Sequence, residues 1–356
     1  MGSRLGVLVK SEDGWETYYD HWAAQSIGLD IAIDGVEATL ERVRSMMPME
    51  VNTPQEWEGA TWIEGTLLID TTKKIVVWAE ESEYLYLPRL INWLVEQTWP
   101  GWTAVWSAEA TRGTLRAAGA DPTPIYRDLN FNLRVYERTP DLYPWEEWHG
   151  TDPITVKLQD GELVTWRAYG FMDDLVHLGP EGVRKLAVEV SSRMPVESAA
   201  WAETMEDDLP TSGVFVDFLS STFSWWSLSD ENIYPEEFEP LWPGWAFDAH
   251  GDDYRWHEEL TGEEYRIWEG DVAECREWFS KAFEEGRRPN PFVRMAEALA
   301  DYGETVQPLG TVLEFKPAQR RGVATAFDQY FDSLVGMRLP PARFIDRHGV
   351  IKPPIV

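Results

Sequence analysis

The sequence predicts an α+β fold, a tandem duplication of a ββαββ(α)β-type unit followed by a mainly helical C-terminal region. Three observations predict it. Residues 4–51 fall on residues 151–198 without a gap at a shift of 147 positions. Trp99-Pro100-Gly101-Trp102 returns as Trp242-Pro243-Gly244-Trp245 at a shift of 143, and Gly65 and Trp78 match Gly213 and Trp226 at a shift of 148. Strands and helices are interleaved in the same order in both stretches, which argues α+β rather than a doubly wound parallel sheet.

Each element has a local reason. Leu5, Val7 and Val9 alternate, as do Ile154, Val156 and Leu158, the period of a half-buried strand. Asp13-Gly14 and Asp160-Gly161 then mark hairpin turns, with return strands at Trp15–Tyr19 and Leu163–Tyr169. Val36, Leu40, Val43 and Met47 share one helical face, and Val183, Ala187, Val190 and Met194 repeat that phase, so helices are predicted over 35–47 and 182–194. Asp34 with Glu37 resembles a capping box, Pro180 suits a first helical turn, and Met-Pro ends both helices. Second hairpins follow at Thr66–Asp70 with Ile75–Ala79 and at Val214–Leu219 with Phe223–Leu228. A helix is predicted over Leu87–Gln97. Its counterpart is shortened or lost, because that stretch carries Pro235 and Pro240. After WPGW a last strand runs over Thr103–Ser107.

The resulting organisation is a first repeat over 1–120, a linker over 121–150, a second repeat over 151–268 and a mainly helical region over 269–356. In that last region Val272–Glu285, Phe292–Tyr302 and Ala318–Val335 read as amphipathic helices and Thr311–Phe315 as a strand. The tail Pro340–Val356 reads as an irregular strap or edge strand.

Composition bounds the function. The net charge is −31, yet residues 271–356 carry 12 basic and 12 acidic side chains, leaving 19 and 50 in residues 1–270. Such a field repels nucleic acid and anionic membranes and steers a basic protein partner inward. It serves equally as a solubility device. No apolar run reaches the roughly 18 residues of a membrane helix, and Met1-Gly2-Ser3-Arg4 does not open a secretory signal, so a cytoplasmic location is expected. The single cysteine, Cys275, excludes an internal disulfide framework and a cysteine-based zinc site. Its neighbours Glu274 and Glu277 argue against an activated thiolate. The chain holds 20 tryptophans. Those matched between repeats read as core anchors, and unmatched ones such as Trp22, Trp57, Trp145 and Trp148 as a binding surface.

Gly14-Trp15-x-x-Tyr18-Tyr19-x-His21-Trp22-x-Ala24, the helix opening Gly35-x-Glu37 and the later Trp99-Pro100-Gly101-Trp102 resemble an uncharacterised bacterial family. That family carries a "YYSHWGA" element and, about 80 residues later, WPGW. The resemblance covers roughly residues 1–120, with Asp20 where the family has Ser and Ala23-Ala24 where it has Gly-Ala. It implies a bacterial origin and an N-terminal module, and it carries no activity with it.

Two groups of residues could hold function. Asp20-His21-Trp22 has Arg167-Ala168-Tyr169 at its place in the second repeat. A duplicated scaffold that keeps a site only once marks these three as binding candidates, with Trp145, Glu146, Glu147 and Trp148 of the linker. Neighbours on a strand point to opposite faces, so Asp20 and His21 should not pair directly. Asp248, His250, Asp252 and His257 are the densest candidate metal ligands, with an acidic surface loop as the plain alternative. There is no G-x-S-x-G, P-loop or Rossmann fingerprint, and no cofactor is expected. The leading reading is a non-enzymatic acidic binding protein, an immunity- or antitoxin-like inhibitor or an adaptor. The alternative is a hydrolase using a carboxylate/His or metal site near His21 or His250–His257.

Overall fold

The computed structural model describes residues 3–57, 62–80, 88–123, 151–168, 172–193, 209–229, 239–284 and 324–353. Residues 124–150, with Trp145–Trp148, and the predicted elements Phe292–Tyr302 and Thr311–Phe315 lie outside them.

The first sheet contains β1 (Leu5–Ser11), β2 (Gly14–Asp20), β3 (Met47–Pro48), β4 (Gly65–Asp70), β5 (Ile75–Ala79) and β6 (Thr103–Trp106). Strand β1 pairs antiparallel with β2 and parallel with β4, β4 pairs antiparallel with β5, and β5 pairs parallel with β6. The second sheet contains β7 (Asp152–Lys157), β8 (Leu163–Ala168), β9 (Ser212–Asp217), β10 (Thr222–Ser227) and β11 (Ala246–Ala249). Its order β11-β10-β9-β7-β8 repeats β6-β5-β4-β1-β2 strand for strand and direction for direction. The tail, predicted as a strap or edge strand, forms β12 (Phe344–Ile345) and β13 (Ile351–Lys352), which extend the first sheet beyond β6. Two mixed sheets and seven α-helices among the described residues make this an α+β protein.

The pairing corrects two details of the sequence alignment. Lys10 meets Asp70 at 3.8 Å and Lys157 meets Asp217 at 3.5 Å, so both hairpin pairs correspond at a shift of 147. Since Asp70 faces Ile75 and Asp217 faces Thr222, the counterpart of Trp78 is Trp225, not Trp226. A slip of one residue turns a strand side chain to the other face of its sheet. Trp78 accordingly packs toward the helices of its own unit, whereas Trp226 faces the opposite side of the second sheet.

The helices are also displaced. α1 (Ile27–Arg44) and α4 (Met172–Arg193) begin well before the predicted residues 35 and 182. Each is broken at a glycine with φ and ψ that no helical residue adopts: Gly35 at 72° and 176°, Gly179 at 64° and 173°. A Cβ at either glycine would lie 3.2 Å from a carbonyl, of Thr98 or of Leu241. Gly35 thus corresponds to Gly179 and not to Gly182, and the second unit has three extra residues between this kink and Met-Pro. Asp34, read as a cap, sits inside α1 and meets Arg42 at 3.2 Å.

In both units the WPGW element docks on the kinked helix. The indole N–H of Trp99 donates to the Ile31 carbonyl at 2.8 Å, and that of Trp242 to the Val176 carbonyl at 2.6 Å. Gly101 and Gly244 take φ of 78° and 80°, which folds the second tryptophan edge-on against the first, 5.1 Å and 4.9 Å between rings. The first tryptophan of each pair is buried. In the first unit WPGW ends α2 (Pro88–Thr98); in the second, the described residues before it form a short 3-10 turn, Glu239–Leu241.

The first sheet buries both faces. Val7, Leu67 and Trp78 meet α1 and α2 on one side, while Leu8, Leu68 and Val105 meet Trp57, Ile63 and Leu115 on the other. Leu115 comes from α3 (Ala110–Ala118). Trp57, expected at a binding surface, is fully buried there. Lacking a counterpart in the second unit, it serves packing of the first. The second sheet packs α4 on one face. Its other face takes α5 (Tyr254–Thr261). Beyond lie α6 (Trp268–Glu284) and α7 (Ala324–Ser333), joined by Phe279 stacked on Phe327 with ring centres 4.9 Å apart.

Candidate functional site

Asp20 and His21 stand at the end of β2. Asp20 Oδ1 accepts the backbone N–H of Trp22 at 2.8 Å, which turns the chain out of the strand. His21 Nδ1 lies 2.7 Å from the Tyr19 hydroxyl, and its ring meets Trp22 edge-on at 4.7 Å. The Asp20 and His21 side chains bond to different partners, as opposite strand faces require. Tyr19 also meets Trp62 edge-on at 5.3 Å, so His21 belongs to a half-buried aromatic group. This geometry suits a rigid contact surface.

The four candidate metal ligands are not brought together. Asp252 is fully buried and accepts the backbone N–H and Nε–H of Arg89, each at 2.9 Å, and the backbone N–H of Ala342 at 2.8 Å. Arg89 also donates to the Asp252 carbonyl and lies over the Tyr254 ring, 5.0 Å from its centre. Three separate stretches of chain therefore converge on one carboxylate. His257, also fully buried, accepts the indole N–H of Trp226 on Nδ1 at 3.2 Å, which leaves Nε2–H to donate to Thr155 at 2.8 Å. Asp248 and His250 remain near the surface, 3.4 Å apart, with His250 stacked on Trp256. Among the described residues no three His, Cys, Asp or Glu side chains are placed to hold a metal ion. The sequence spacing brought these residues into one short stretch, but a strand end, a turn and a helix aim them in different directions.

Burial holds His257 neutral, with its pKa pushed down to about 3. In the unfolded chain the same imidazole binds a proton below about 6.5. The unfolded state therefore binds more protons between those values, and stability falls as pH falls through that window, by up to about 1.4 kcal/mol per pH unit. Melting temperature should drop between pH 7 and pH 5, and His257→Gln, which keeps one acceptor and one donor, should flatten that part of the profile. An unchanged profile in the variant assigns the acid sensitivity elsewhere.

Cys275 is buried, and burial with the nearby Glu274 and Asp271 carboxylates raises its pKa, the reverse of an activated thiolate.

Two surface features were not visible as sites in the sequence. The first is acidic. Along α5, the following turn and the start of α6, Glu259, Glu264, Glu269 and Glu274 are exposed and have no cationic partner among the described residues. Leu260 and Ile267 stand exposed among them. Of the cations in this stretch, Arg266 is buried on Asp271 at 2.5 Å and Arg276 bonds Asp328 and Asp332, while the half-buried Arg255 acts on Asp253 and Glu258. Glu258 sits at the base of the strip, its pKa raised by burial although it accepts the backbone N–H groups of Tyr265 and Arg266. The second feature is a small cleft of about 100 Å³ between the outer edge of β11 and the β12–β13 hairpin. The clustering of acids was legible as net charge; the cleft, built from four separate stretches, was not.

No protein-family model, curated protein or solved structure matches this chain. No described helix is long and apolar enough to cross a membrane.

Proposed function

We propose that this protein is a non-enzymatic binding protein that captures a basic protein partner, in the manner of an immunity- or antitoxin-like inhibitor or an adaptor, and that its two units descend from one duplicated module. The strip from Glu259 to Glu274 carries this reading: exposed carboxylates with no ion-pair partner among the described residues alternate along the chain with two exposed aliphatic side chains, Leu260 and Ile267. Carboxylates speed encounter with a basic surface, and the apolar pair supplies desolvated contact once docked. Two of the groups on which the alternative hydrolase site would draw are taken up by the fold. Asp252, His257 and Cys275 are buried, and the first two spend their polar atoms on protein hydrogen bonds. The repeated strand order, the paired Lys-Asp contacts and the two WPGW dockings support duplication.

Affinity capture from the source cell, followed by rate measurements on the retained basic protein, tests the reading. The association rate should fall at least about tenfold between low salt and 0.5 M, because surface fields are screened within about 8–10 Å already at 0.1–0.15 M. Changing Glu259, Glu264 and Glu269 together to lysine should slow association far more than it speeds dissociation. An on-rate indifferent to salt, or a triple variant that captures as well as the parent, overturns it.

A further inference from the structure

In the first sheet the outer edge of β6 is occupied. Strand β6 turns the N–H of Thr103 and Ser107 inward, onto Lys74 and Trp78, and those of Ala104 and Trp106 outward. The Trp106 N–H donates to the Arg343 carbonyl at 2.7 Å, and the Ala104 N–H to Glu96 Oε1 at 3.3 Å. Arg343 then returns its guanidinium to the same Glu96 oxygen at 2.8 Å. One extended segment, Arg343-Phe344-Ile345, is thus held by a backbone bond and a charge pair.

The second sheet carries the same slot, with no such segment among the described residues. Strand β11 sits on β10 as β6 sits on β5, with Ala246 and His250 N–H groups inward on Ser221 and Trp225. The N–H groups of Phe247 and Ala249 therefore face outward, and Ala249 holds the place of Trp106. Among the described residues no strand lies against that edge. Glu239 stands three residues before its WPGW, as Glu96 does. The cleft runs along this edge, lined by Phe247 and Ala249 with Trp106, Trp225 and Phe344. Its cations are already engaged: Arg347 with Glu239 at 3.3 Å and Lys352 with Asp346 at 3.6 Å. Among the described residues the half-exposed Asp248 is paired with His250, a group that burial biases toward its neutral form. The rim thus offers carboxylate to an arriving cation.

We propose that the outer edge of β11 receives an extended segment of the basic partner protein, parallel to β11, in which an arginine precedes a large apolar residue. The arginine carbonyl accepts the Ala249 N–H. Its guanidinium takes Glu239 in place of Arg347, and the apolar side chain enters the aromatic cleft. Strand addition of this kind draws affinity from main-chain bonds and specificity from alternate side chains. The inference rests on the basic-partner reading and names how part of that partner is held.

The probe is a labelled, end-capped peptide copying Pro341–Asp346, titrated into the full chain. Saturable binding is expected. Ala249→Pro removes the outward N–H at an edge position that tolerates proline, and should weaken binding about 3- to 10-fold, the worth of a neutral hydrogen bond. Glu239→Lys should weaken it at least about tenfold, as loss of a charge-assisted bond does, and a peptide with glutamate in place of arginine should regain affinity for that variant. Should Ala249→Pro fail to fold, this charge swap decides alone. No saturable binding, or binding that both variants leave unchanged, overturns the proposal. So does a concentration-dependent dimer abolished by Ala249→Pro, which would assign the edge to a second copy. Salt-sensitive partner capture that survives both variants sinks the strand slot while leaving the acidic-surface reading standing. Peptide binding without such capture does the reverse.

Discussion

Replacing Arg89 with methionine should destabilise the protein by about 3–5 kcal/mol, the usual cost of removing one member of a buried ion pair. The cost arises because a fully buried carboxylate would lose its cation, leaving the backbone N–H groups of residue 89 and Ala342 to hold it. The pair also ties three stretches together. Arg89 opens α2 of the first unit, Asp252 follows β11 of the second, and Ala342 precedes β12. Loss of the guanidinium should therefore broaden the melting transition as well as lower it. Asp252→Asn in the Arg89→Met background should restore part of the loss, because the asparagine no longer buries a charge. Denaturant unfolding of the two single variants and the double variant gives the coupling directly. A coupling near zero would show that the pair does not join the units.

Trp78→Ala should cost about 3–5 kcal/mol, as large-to-small aromatic changes in cores do. Trp78 is 2% exposed, donates its indole N–H to Asn92 at 2.8 Å and lies against Gly28. Asn92 in turn donates to the Arg343 carbonyl at 3.0 Å, so the deletion also loosens the seat of β12. Trp225, its positional counterpart, is only half-buried, and Trp225→Ala should cost clearly less. Equal losses at the two positions would contradict the register assigned to β10.

Much of the fold was legible in the residues because its signals are local. Strand alternation, Asp-Gly turns and the recurrence of WPGW depend on neighbours within a few positions, and each produced an element close to its predicted place. The two misreadings have a common cause. Gly182 was matched to Gly35 by letter, whereas the kink that requires glycine is at Gly179. Trp226 was matched to Trp78 by letter, whereas hydrogen-bond register selects Trp225. Identity of residue type is blind to which face a side chain takes or which glycine bears the left-handed φ.

The candidate site was less legible for the same reason. His257 and Asp252 looked like ligands because they are close in sequence. Only their burial, one against Trp226 and Thr155 and the other on Arg89, shows that they are structural. By itself the sequence determined the α+β class, the recurrence of one pattern and a strongly acidic charge confined to residues 1–270, since composition and short-range periodicity carry all three. Only the tertiary structure decided which carboxylates are exposed, that Arg89 reaches a carboxylate 163 residues away, and that, among the described residues, a strand lies against the β6 edge and none against the β11 edge. Those outcomes depend on contacts between distant stretches, and desolvation and register, which set their energies, exist only once the chain has folded.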